Sequence, residues 1–169
     1  MNMKKIFIMM LLLLPLGLVA QESKIAIVKA NDILSQMPEV IAMQNELDTM
    51  HKQFQNEMKT FEDDLNRNYQ DLIIQQDSLP ENIYKIRAQD ITQMRTRMEN
   101  FQEYASQELE KKQSDLYTPI QDKLQKAVDQ VGEENSYALI IYYNPNIILY
   151  VGKSAIDATD QVKAKLGLK

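Results

Sequence analysis

The sequence predicts an α+β chain dominated by a long antiparallel helical hairpin, a coiled-coil arm, on a small β-rich body that joins copies together. Three observations carry that prediction. The first is a hydrophobic beat of period 11: Met43, Phe54 and Leu65, then Leu47, Met58 and Tyr69, then Met50, Phe61 and Leu72. Apolar steps of 3-4-4 place one residue per turn on a single helical face. The second is the return of the beat after one break, in Met94, Ala105, Leu116 and Ala127 and in Met98, Leu109, Ile120 and Val131. The third is that strand-like composition falls only on either side of these two runs. Eleven residues over three turns lie close to the relaxed helix, so the pair should run almost straight or with slight right-handed coiling.

Taken from the start, Lys4 and Lys5 precede an apolar run over 6–14, followed by Pro15, Gly17 and Ala20. This is the pattern of a secretion signal over residues 1–20 with cleavage after Ala20, and the run is too short to span a bilayer. The chain is therefore expected to be exported. It contains no Cys, so neither a lipidated anchor nor a disulfide framework is expected.

Residues 24–28, Lys-Ile-Ala-Ile-Val, read as a short strand. Asn31 is expected to cap a short helical turn, and Pro38 to open the first long helix over 39–76. Residues 77–81 form the tip, where Ser78 and Glu81 have capping-box spacing and Pro80 fits the first turn of the returning helix. At 1.5 Å per residue the arm is roughly 55–60 Å long. The second helix should reach about Gly132, with Thr118-Pro119 bending it where arm meets body. Residues 137–143 and 147–151, joined by Asn144-Pro145-Asn146, read as a β-hairpin. A final helix over 158–166 ends at Gly167. The organisation is then an arm over 39–131 and a body built from 21–38 and 132–169. Five acid-before-base pairs at i,i+4 (Asp48–Lys52, Asp63–Arg67, Glu81–Lys85, Glu108–Lys112 and Asp122–Lys126) read as a solvated helical surface.

Charge narrows the function classes. After residue 20 the chain has 17 basic and 24 acidic residues, and the arm holds 11 and 18 of them. An acidic arm on a neutral body disfavours nucleic acid and anionic lipid as partners. An enzyme fares poorly too. The single His51 has no metal-ligand partner at helical spacing, no Gly-rich loop exists, and no nucleophile–base arrangement presents itself. No catalytic, metal-binding or cofactor-binding residue is assigned.

Three short strands and fewer than 60 residues make a marginal core with two open sheet edges. Homo-oligomerisation through the body follows, with Ile25, Ile27, Leu139, Ile141, Ile148 and Tyr150 as the assembly residues.

The whole pattern after residue 20 resembles the Skp/OmpH family of periplasmic chaperones. The most specific part is the 137–166 block, above all Asp157-x-Thr159-Asp160-x-Val162 after a strand. The resemblance implies a jellyfish-like trimer in the periplasm, whose arms hold unfolded outer-membrane β-barrel proteins in a cavity without ATP. One departure matters: well-known members are strongly basic, whereas Asp71, Asp77 and Glu81 lead this tip ahead of Lys85. Charge-driven capture of acidic clients and lipopolysaccharide binding are accordingly not carried over, and client contact should be apolar or favour basic stretches.

Holding a client requires adaptable apolar contacts. Met43, Met50, Met58, Met94 and Met98 sit at seam spacing and read first as filling between the helices. Ile73, Ile74, Leu79, Tyr84 and Tyr104 lie off the seam or at the tip, and are either client contacts or scattered surface apolarity. The competing function is a periplasmic coiled-coil spacer or adaptor linking envelope components.

Overall fold

The computed structural model describes residues 24–168; the expected secretion signal lies outside the described residues. The element order is β1 (Lys24–Val28), α1 (Ala30–Leu34), α2 (Pro38–Gln75), α3 (Glu81–Asn135), β2 (Tyr137–Tyr142), β3 (Ile156–Asp157) and α4 (Thr159–Lys165).

The two long helices run side by side in opposite directions. Their contacts step steadily inward: Glu39 meets Lys123, Glu46 meets Lys112 at 2.6 Å, Phe54 meets Phe101, and Gln75 accepts a hydrogen bond from Arg87 at 2.9 Å. The seam is the one the apolar beat predicts except at Tyr69, which is exposed, and all five of its methionines are half-buried. A two-helix layer has only one packing surface, so its interior is one side chain thick and stays partly wet.

Several local expectations are corrected. Asn31 does not cap α1 but lies inside it, and its side-chain oxygen accepts a hydrogen bond from Tyr142 at 2.7 Å. The Ser78–Glu81 capping box does not form, because the Ser78 hydroxyl donates back to the Gln75 carbonyl and Pro80 itself is the N-cap of α3. Gly132 does not end α3. The helix continues to Asn135 and is closed by Ser136 in the left-handed region, φ 55°, a conformation only mildly costly for a small polar residue. Pro119 lies inside α3 without interrupting it.

Among the five expected ion pairs, Asp48–Lys52 and Glu81–Lys85 form, both at 2.6 Å. Lys112 instead reaches across the seam to Glu46, and Arg67 takes Asp64 at 3.4 Å. Crossing the seam ties two helices together, which an i,i+4 pair cannot do.

The sheet is the largest correction. Residues 147–151 are not a strand, and β2 does not turn back on them. The strand order is β2-β1-β3 with both pairings parallel. Thus β2 pairs with the strand most distant from it in sequence, and the entire helical arm is the crossover between them. Asn144-Pro145-Asn146 does turn the chain, as Ile147 and Ile148 N–H groups donate to the Asn144 carbonyl at 3.0 and 2.8 Å. It then sends the chain across the sheet to β3 on the far side of β1. Asn and Pro specify a turn, but a turn does not specify antiparallel pairing when a β1 edge is free to take the strand.

The core lies where the sheet meets the helices. Ala26, Val28, Ile33, Met37, Val131, Ala158 and Val162 are almost fully buried there, with Val40, Ile120 and Ala127 adding the root of the arm.

Candidate functional site

Alternation along a strand puts successive side chains on opposite faces. In β1, Ala26 and Val28 face the helices and are buried, whereas Ile25 and Ile27 face the other way. The parallel register sets Ile25 beside Leu139 and Ile27 beside Ile141. These four large apolar side chains therefore form one bare sheet face, with Ile25, Leu139 and Ile141 exposed. The segment crossing from β2 to β3 passes over it, and Ile148 and Tyr150 join Ile25, Ile27 and Ile141 around a concavity of about 500 Å³. All six predicted assembly residues are thus brought to one side of the body. Sequence reasoning missed Ile147 and Leu149 in the same segment; Leu149 is 94% exposed. Their signal was the unbroken apolar run Ile-Ile-Leu-Tyr-Val, read there as a strand.

The C-terminal end of β1 is locked. Lys29 N–H donates to the buried Thr159 hydroxyl at 3.0 Å, and the Asp157 carboxylate accepts from Thr159 N–H at 3.0 Å. Lys29 Nζ lies 2.9 Å from Asp157 Oδ2. The Asp157-x-Thr159 pair therefore pins the end of β1 to β3 and α4. Burial opposes the charge on Asp157, but the hydrogen bonds from Thr159 and Lys29 outweigh it and hold the carboxyl below its ordinary range. The hydrogen bond to Asp157 raises Lys29.

The five predicted client-contact residues do not converge. Ile73, Ile74, Tyr84 and Tyr104 are exposed and Leu79 is half-buried. Leu79 and Tyr84 line a hollow at the tip with Asp77 and Glu81. Ile74 is one residue round the helix from Ile73 and 77% exposed. Tyr104 leans on the seam, its ring 6.3 Å from both Phe54 and Phe101. Exposed Tyr69 and Ile86 were missed; Tyr69 had been absorbed into the seam because it falls on the beat of 11.

Phe54, Phe61 and Phe101 form an aromatic cluster in the middle of the arm, with ring centres 5.8 and 5.2 Å apart. Beside it a groove of about 430 Å³ opens along the seam between Met58 and Met98. His51 lies on its rim, 2.9 Å from the Gln55 amide. At the root of the arm the Lys123 hydrogen bond holds the Glu39 carboxyl below its usual range. Among the described residues no group of His, Asp and Glu could hold a metal ion, and no helix is long and apolar enough to cross a membrane.

Comparison with known proteins agrees with this architecture. Residues 24–166 match the family described as "Outer membrane protein (OmpH-like)". A crystal structure of a protein described as an OmpH-like outer membrane chaperone, from Caulobacter crescentus, superposes with a TM-score of 0.72 at 14% identity. The match covers 84% of this chain and 82% of that one. That likeness shows the fold. No curated protein matches. The family match spans nearly the whole described chain, and the protein belongs to the OmpH-like family.

Proposed function

We propose that this OmpH-like chain is a periplasmic holdase: it binds unfolded outer-membrane β-barrel proteins between helical arms, without ATP and without catalysis. The observation that supports it best is apolar surface left uncovered on an extended arm. Ile73, Tyr84 and the Met58–Met98 groove stand on a two-helix layer too thin to bury them. Unfolded chains present many apolar groups in no fixed arrangement, and a long surface of adaptable contacts suits them better than one shaped pocket.

The arm over 39–131 and the body from 21–38 and 132–169 then have separate tasks. The body assembles copies, most simply three around an axis, since a cavity closed by arms needs at least that many. The bare face of Ile25, Ile27, Leu139 and Ile141 supports assembly through the body. Water-exposed aliphatic groups packed this closely lose roughly 25 cal/mol per Å² left unburied. The segment over 147–151 lacks a ladder partner among the described residues, and its backbone groups gain one if a neighbouring copy supplies it.

The test is direct. Urea-unfolded outer-membrane protein is diluted into buffer with equimolar assembled protein and no nucleotide, and light scattering is followed. Suppressed aggregation is the expected result. Unchanged aggregation, with a folded envelope protein recovered as partner instead, would replace the holdase by an adaptor. Sedimentation at micromolar concentration should give the mass of a closed oligomer; a stable single-subunit mass would remove the cavity.

A further inference from the structure

The two long sides of the arm differ in chemistry. On α2, His51, Gln55, Met58 and Glu62 follow one another in steps of four, three and four, which keeps them on one helical face. They line the central groove together with Met98 and Gln102 of α3, so this side of both helices opens onto a shared surface. Continuing the same steps toward the tip reaches Tyr69 and Ile73 on α2 and Tyr84 on α3, all exposed. Between His51 and Ile73 the α2 stripe carries one carboxylate, Glu62. On α3 the charges of Arg95 and Glu99 cancel in a pair at 3.2 Å.

The other side is built differently. Its hollow, of about 400 Å³, is edged by Asp71, Arg87 and Asp90. Steps of seven from Asp71 lead to Asp64 and Glu57 on the same side of α2. Glu39, Glu46 and Gln53, also seven apart, share it, so both cross-seam ion pairs lie there. On α2, Glu39, Glu46, Glu57, Asp64 and Asp71 thus share this side, against Glu62 alone on the groove stripe.

We propose that the groove side, from Tyr84 and Ile73 down to Met58 and Met98, is the surface that holds the client, and that its occupant is an extended, uncharged apolar stretch of unfolded polypeptide. This rests on the holdase reading above. Three features fit that occupant. The floor is aromatic and thioether, which accepts aromatic and aliphatic side chains of varied shape. The rim carries Gln55, Gln102 and the Ser106 hydroxyl, which both donate and accept hydrogen bonds. A peptide backbone with unpaired N–H and C=O groups needs that pairing. Finally, an uncharged segment gives up no ionic hydration on entering a groove whose lining holds the single carboxylate of Glu62, whereas an acidic one finds no cationic partner there. The carboxylates on the other side keep the arms soluble and mutually repelling.

The test adds the same charge to either side. Gln55→Glu with Gln102→Glu places two carboxylates on the groove rim. Gln53→Glu with Gln93→Glu places two on the opposite side, beside Glu57 and Asp90. All four positions are exposed, and Gln and Glu have similar helix propensity, so both proteins should fold as the parent does, checked by circular dichroism and oligomer mass. Affinity for a urea-unfolded outer-membrane β-barrel protein is measured by fluorescence at fixed salt. The groove pair should weaken binding roughly tenfold, because a carboxylate pressed against apolar groups loses its water, and the control pair less than about twofold. Equal weakening would overturn the assignment in favour of whole-arm charge, and greater weakening by the control pair would move the client to the other side. An altered oligomer mass with unchanged client affinity would mean that the groove holds a second copy's arm, and would also overturn it. If the parent protein itself binds no client, the holdase reading fails and not merely the choice of side.

Discussion

Body and arm are built from the same kinds of residues yet bury them to different depths. In the body, the sheet and the helices packed on one of its faces enclose Ala26, Ile33, Met37, Ala158 and Val162 until none is accessible to solvent. Along the arm beyond its root, Leu72 and Ala105 are the buried apolar side chains among the described residues, and the methionines and phenylalanines of the seam stay half-exposed. The difference comes from dimensionality. A residue between a sheet and two helices is covered from several directions, whereas one between two rods is covered from one. The body can therefore hold a fixed structure, while the arm keeps apolar surface available to something else.

That contrast can be broken most forcefully by cutting equivalent volumes from each region. Ile33→Ala should cost about 3 kcal/mol in urea unfolding, near the middle of the range for emptied core sites. Met98→Ala should cost about 1 kcal/mol, since its site is half open to water before the change. Equal losses would show the arm to be as tightly packed as the body.

A second experiment separates the two sides of the body. Leu139→Glu with Ile141→Glu alters the bare face and leaves the helix-covered face intact. The expected outcome is loss of the oligomer in sedimentation, on the order of 2 kcal/mol or more per buried anchor residue. Helical content should persist. An unchanged mass would place assembly elsewhere.

Acid should act on both regions from the same direction. Glu39 at the arm root and Asp157 in the body are both held below their ordinary values, so each stabilises the fold fully above its unfolded pKa and loses that contribution as pH falls through the folded one. Stability should decline below about pH 4. Glu39→Gln should flatten part of that decline, and Asp157→Asn another part. The raised Lys29 works in the opposite sense, its contribution present below its unfolded pKa and fading as alkaline pH passes the folded one. An acid profile indifferent to Glu39→Gln would mean that the cross-seam pair contributes nothing.

The smallest effect is expected on the arm surface. Lys52→Ala removes an exposed partner of Asp48 and should change the melting free energy by less than about 0.5 kcal/mol. A larger loss would mean that surface ion pairs, and not the seam, hold the arm together.

The helices and their tip were legible because periodicity is local: a beat of 3-4-4 states which face is buried whatever the partner. Ile25, Ile27, Leu139 and Ile141 were legible one by one for a similar reason, as large apolar side chains on strands too few to bury them, whereas Ile148 and Tyr150 were assigned to a strand that does not form. Capping was less legible. Asn31, Ser78 and Glu81 have the right chemistry, but each found a different partner within reach. The strand-like run over 147–151 misled because β propensity describes what fits a pleated surface, not which surface is present. The proposed client-facing side of the arm was only half legible. Ile73 and Tyr84 share a side of the arm, but Ile74 and Tyr104 do not lie with them, and the groove between Met58 and Met98 had no sequence signal beyond seam spacing.

The sequence by itself determined that two long amphipathic helices pair, where they turn, and that the arm is acid-rich, because all of these depend on residues within a few turns of one another. Only the tertiary structure decided that β2 runs parallel beside β1, that Ile25, Ile27, Leu139 and Ile141 meet on one face left bare of helices, and that Glu39, Glu46, Glu57, Asp64 and Asp71 of α2 fall on the side away from the groove. Those outcomes depend on which distant segments become neighbours. A strand's hydrogen-bonding edges are alike whatever their sequence, so partner choice is settled by how the whole chain packs.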